Sequence, residues 1–121
     1  MKTFLALGSL NAFLSVALGA FGAHYLKQKL SADMLSVFHT GVQYHMIHAL
    51  GLILIAILSD KFGNSSLVNS SGWALFIGIV LFSGSLYALS LSGIKILGAI
   101  TPLGGVSFLI GWILLAVAAW K

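Results

Sequence analysis

The sequence predicts an all-α protein, an integral membrane four-helix bundle with both termini on the same side of the bilayer. Three observations predict it. The only charged side chains are Lys2, Lys27, Lys29, Asp33, Asp60, Lys61, Lys95 and Lys121. Between them lie uncharged runs of 24 to 33 residues, each long enough to cross a hydrocarbon core about 30 Å thick as a helix. Apolar residues make up 60% of the chain and charged residues 7%, against about 25% charged in soluble domains. A soluble fold of this composition would expose more apolar surface than monomers tolerate. The runs are apolar all round, whereas barrel strands alternate in polarity, so helices are expected rather than a β-barrel. Residues 1–121 are read as a single transmembrane domain.

The first span is expected over residues 3–26. Lys2, the apolar stretch and the run Gly19-Ala20-Phe21-Gly22-Ala23 have the grammar of a secretory signal. The uncharged run far exceeds a signal core of about 7 to 15 residues, so the segment is read as a retained span. A polar link over residues 27–33 leads into a second span, 34–59, whose start Ser31 or Asp33 can cap. Residues 60–71, rich in serine, are read as a watery loop. From Gly72 to Trp120 the only interruption is Lys95. As one helix that run would be about 73 Å long, more than twice a bilayer. It must turn back, and Ser92-Gly93-Ile94-Lys95 is the place, giving spans 73–91 and 97–120. Lys2, Lys61 and Lys121 then share one side and Lys27, Lys29 and Lys95 the other. The positive-inside count is a tie.

Small residues supply the expected packing surfaces. Ser15, Gly19 and Ala23 recur every four residues on the first span, with Gly8 and Ala12 as a second row. Such rows let helix backbones approach closely where lipid removes the hydrophobic drive. Pro102 is expected to kink the fourth span, because it cannot donate to the Gly98 carbonyl. Gly104 and Gly105 just beyond it form another close-approach surface. Trp73 and Trp120 read as belt residues and Trp112 as lying within its span.

The histidines are the only chemistry at membrane depth. His24 closes the first span, and His39, His45 and His48 lie in the first half of the second. His45 and His48 share a helical face, while His39 lies opposite His48. One reading has neutral imidazoles hydrogen-bonded to serine, Asn11 or a backbone carbonyl, locking the second span to the first and third. The other makes His24, His45 and His48 a metal or ion site, a ligand set that suits Zn, Cu or Fe. No acid lies in any span and the chain has no cysteine, so an enzyme is not expected and no cofactor is expected. The net charge of +4 comes from lysines scattered over helix ends, so nucleic acid is not an expected partner.

The series Gly19-Ala20-Phe21-Gly22-Ala23-His24, Thr40-Gly41-Val42-Gln43-Tyr44-His45 through His48-Ala49-Leu50, Thr101-Pro102-Leu103-Gly104-Gly105 and Gly111-Trp112 resembles the YgdD/YwdK family of small membrane proteins, a domain-of-unknown-function family. The resemblance runs over essentially the whole chain. It implies a four-helix integral membrane protein and directs attention to His24 and His48, without assigning either a role. The expected function is a non-enzymatic bundle of the bacterial cytoplasmic membrane that self-associates as a homo-oligomer or binds lipid or a membrane protein partner. The alternative is a small transporter or an ion- or metal-binding protein using the histidine-rich end.

Overall fold

The computed structural model describes residues 2–63 and 65–120; Asn64 of the expected loop and the anchor Lys121 lie outside the described residues. Helix α1, Lys2–His24, is followed by one 3-10 turn, Leu26–Gln28. Helix α2, Ala32–Lys61, starts where the Ser31 hydroxyl accepts from the Met34 N–H at 3.2 Å, satisfying one of the free donors of its first turn. The third run is carried by α3, Ser66–Gly78, a π-helical turn, Ile79–Ser83, and α4, Gly84–Ser92. Gly93 ends it with φ 75°, and its N–H returns to the Leu89 carbonyl. That left-handed backbone is a glycine position. A 3-10 segment, Lys95–Ala99, then leads into α5, Thr101–Trp120. All four helical runs are long and apolar enough to cross a membrane.

Two expectations need correction. Helix α3 begins at Ser66, not after a watery loop ending at Ser71. Serine is tolerated there because its hydroxyl finds a carbonyl: buried Ser71 donates across the bundle to Gly111 at 2.7 Å. Pro102 does not kink a helix interior. The 3-10 segment ends before it, and Pro102 sits in the first turn of α5, where a missing N–H breaks no helical bond.

Helix α2 is the spine, with α1 on one side and the third run on the other; α5 packs along the third run. Close backbone approach at two glycines sets this arrangement. A Cβ on Gly8 would meet the Ala49 carbonyl and the Ile53 nitrogen at 2.9 Å, so α1 seats on α2. A Cβ on Gly104 would run into the Phe82 backbone, so α5 seats on the π-turn. Phe4, Leu52, Ile55, Val68, Leu75 and Phe108 belong to one apolar core.

The polarity of the bundle is inverted relative to a soluble protein. Asn11, Ser15, His45, His48, Ser71, Ser83, Ser85 and Ser90 are buried, while Leu10, Phe13, Ile57, Leu103, Leu109 and Ile113 are exposed. In hydrocarbon an unpaired polar atom is far more unfavourable than an exposed methyl group. Among the described residues, Ser59 has the one buried side-chain polar atom without a partner.

Candidate functional site: the imidazole pair and the groove beside it

His45 and His48 are each only 4% exposed. Their partners determine their tautomers. The Asn11 amide nitrogen donates to the Leu7 carbonyl at 2.8 Å, which leaves its Oδ1 as an acceptor. That oxygen lies 2.8 Å from His45 Nε2, so Nε2 carries the proton. His45 Nδ1 accepts from the Tyr87 hydroxyl at 2.8 Å. The result is a directed chain from Tyr87 through His45 and Asn11 to the Leu7 carbonyl, joining α4, α2 and α1.

For His48 the order is reversed. Its Nδ1 lies 2.8 Å from the Tyr44 carbonyl, which can only accept, so Nδ1 carries the proton. Its Nε2 accepts from the Trp112 indole N–H at 3.0 Å. This second chain joins α5 to α2. The His48 ring also stacks on Phe108, with centroids 3.5 Å apart and planes within 8°.

The π-turn puts Tyr87 within reach. Adding one residue to a turn re-phases the helix beyond it by about 100°. Leu75 and Ile79 upstream remain in the core, while downstream Tyr87 reaches His45. Ser83, within the π-turn, donates to the Gly41 carbonyl at 2.8 Å and pins the turn to α2. Such turns recur at functional sites in helical proteins.

The residues singled out from the sequence are distributed as follows. His24 is exposed at the end of α1, and His39 is exposed on α2. Among the described residues no three potential metal ligands are gathered together, so His24, His45 and His48 do not share a site. Ser15 is buried against α2, with its hydroxyl on the Ala12 carbonyl and 3.5 Å from the Met46 sulfur. Gly19 faces Val42, where a Cβ would lie 3.3 Å from Cγ1. Ala23 is exposed, and the inward position belongs to Gly22 beneath Phe38. Gly104 is buried, whereas Pro102 and Gly105 line a groove.

That groove, about 570 Å³, lies between α2 and α5. Its walls include Tyr44, His48, Phe82, Pro102, Gly105 and Trp112. The His48 and Trp112 nitrogens beside it are bonded to each other, and its surface is mostly rings and methyl groups. Sequence reasoning named Asn11 as a possible partner for a histidine but missed Tyr87 as a donor, the Trp112 indole and the Phe82 wall. The available signal was that Tyr87 and Trp112 carry polar hydrogens at span depth, where each must find an acceptor.

The comparisons with known proteins agree with this architecture. The family described as "Protein of unknown function (DUF423)" matches residues 18–105. The UPF0382 membrane protein YwdK of Bacillus subtilis is 60% identical over 121 residues, covering 100% of this chain and 98% of that one. A UPF0382 membrane protein of Staphylococcus saprophyticus is 54% identical over 122 residues, covering 100% of this chain and 99% of its own. A UPF0382 membrane protein of Staphylococcus epidermidis is 52% identical over the same length. No solved structure matches the chain. With four membrane-spanning helical runs, an inverted polarity and relatives of this similarity along its whole length, the chain belongs to the DUF423 family of multi-pass membrane proteins.

Proposed function

We propose that the chain is a non-enzymatic binding module of the bacterial cytoplasmic membrane and that a bilayer lipid chain lies in the groove between α2 and α5. The groove carries this reading. It has room for part of an acyl or isoprenoid chain, its walls are apolar, and the His48 and Trp112 nitrogens beside it are bonded to each other. Ion or metal carriage has less support, because both buried imidazoles use both ring nitrogens internally. Catalysis has less still. Asp33 and Asp60 stand exposed at opposite ends of α2, away from the imidazoles.

Trp112 lines the groove and reports on it. In a Trp73→Phe, Trp120→Phe background, bilayers with brominated acyl chains should quench Trp112 fluorescence strongly. Gly105→Leu should relieve that quenching by filling the groove, because a Cβ there has no neighbour nearer than 3.9 Å. Quenching that is weak, or indifferent to Gly105→Leu, would mean that lipid chains do not enter.

A further inference from the structure

The outward face of α2 bears a side chain that lipid does not satisfy. Gln43 is exposed, and it lies about 5 Å along the axis from the midpoint of Ala32–Lys61. At that depth its short side chain does not reach the interface. Nearby Thr40 donates to the Ser36 carbonyl and His48 to the Tyr44 carbonyl. Among the described residues, no hydrogen bond involves the Gln43 amide. A primary amide left bare in hydrocarbon is strongly unfavourable.

The surroundings of Gln43 form a seam. At 100° per residue, Ser36, Leu50 and Leu54 fall within about 20° of Gln43, and His39, Ile47 and Ile57 within about 40°. All seven are exposed. Ser36, Gln43, Leu50 and Ile57 repeat every seven residues, the spacing of helices that pack side by side. Met46, facing α1, borders the seam on one side, and Tyr44, lining the lipid groove, borders it on the other. Ile47 belongs to both the seam and the groove wall, whereas Gln43, Leu50, Leu54 and Ile57 lie outside the groove.

We infer that this face pairs with the same face of a second copy of the chain, with the two Gln43 amides bonded to each other. The chemistry selects that occupant. Two copies inserted alike are related by a twofold axis along the membrane normal, so equivalent helices run parallel and equivalent residues meet at equal depth. A primary amide is both donor and acceptor, so it complements its own twofold mate. Polar groups bonding across helices are an established source of association in lipid, and a single polar residue in a heptad seam fixes register. Gln43, Leu50 and Ile57 are not part of the groove wall, so their pairing does not rest on what occupies the groove.

The chain contains no cysteine, so introduced thiols report without background. In native-like membranes under mild oxidation, Leu50→Cys should give a covalent dimer of twice the chain mass. Leu109→Cys, 67% exposed on α5, should remain at background. Adding Gln43→Leu to Leu50→Cys should lower the dimer yield at least fivefold, whereas Gln43→Asn should largely preserve it. Gln43→Leu alone should not lower the thermal midpoint of the monomer, because the side chain supports no contact within the bundle. Equal yields at positions 50 and 109, indifference to Gln43→Leu, an adduct of another mass, or a destabilised Gln43→Leu monomer would each overturn the pairing.

Discussion

His45 and His48, one turn apart on α2, carry their ring protons on opposite nitrogens, Nε2 in the first and Nδ1 in the second. The difference follows from what each faces. His45 meets a hydroxyl and an amide oxygen, whereas His48 meets its own helix's carbonyl and an indole N–H. Together the two side chains connect the spine helix to every other span. Nitrogen-15 NMR of labelled protein in bilayers should resolve one Nε2–H and one Nδ1–H imidazole among the buried histidines. Finding the same tautomer in both would contradict the two chains.

The link from Tyr87 to His45 should be measurable as a coupling. Tyr87→Phe leaves His45 Nδ1 without its donor and should lower stability by about 0.5–2 kcal/mol, the range of interhelical hydrogen bonds in membranes. His45→Leu should cost at least as much, because it also strands Asn11 Oδ1. In the double variant the two losses should fall short of their sum. A reversible unfolding cycle in mixed micelles gives this number, and strict additivity would show that the hydroxyl and imidazole do not act together.

How far the fold is legible in the sequence can be judged from particular residues. The four spans are visible because Lys27, Asp60 and Lys95 mark the ends of the apolar runs. The start of α3 is hidden because Ser66 and Ser71 resemble a loop by composition, yet serine hydroxyls bond to carbonyls and need no water. Pro102 reads equally well as a kink or a beginning, and only the end of the preceding 3-10 segment decides between them. On α1 a strict four-residue row drifts about 40° per step, so from Ser15 the buried stripe reaches Gly22 rather than Ala23. The partners of His45 and His48 lie 42 and 64 residues away in Tyr87 and Trp112. Which polar hydrogen meets which imidazole depends on the phase set by the π-turn, and no local pattern announces that turn.

The α3–α5 contact is held by a reciprocal pair. Ser71 donates to the Gly111 carbonyl at 2.7 Å and Ser107 to the Ala74 carbonyl at 2.6 Å. Each hydroxyl acts on the backbone of the other helix, so either serine can be replaced without leaving a buried donor behind. Ser71→Ala and Ser107→Ala should each lower stability by about 0.6 kcal/mol, the mean for such bonds in a membrane bundle. Ser71→Val should cost more, because that position is fully buried and the added methyl groups overpack it. Thermal unfolding in one detergent ranks all three. Ser71→Val matching Ser71→Ala would argue that the contact is looser than described.

Gly104 and Gly105 should respond in opposite ways to the same small change. A Cβ at Gly104 would collide with the Phe82 backbone, which is held in the π-turn and cannot rotate aside like a side chain. Gly104→Ala must therefore push α5 off the third run, and overpacking of this kind costs about 1–3 kcal/mol. At Gly105 the nearest atom is Phe82 Cδ2 at 3.9 Å, an ordinary contact. Gly105→Ala should be neutral or stabilising, since alanine also improves the helix by up to about 1 kcal/mol. Matched unfolding curves test the contrast, and equal losses at the two positions would mean that α5 does not seat on the π-turn through Gly104.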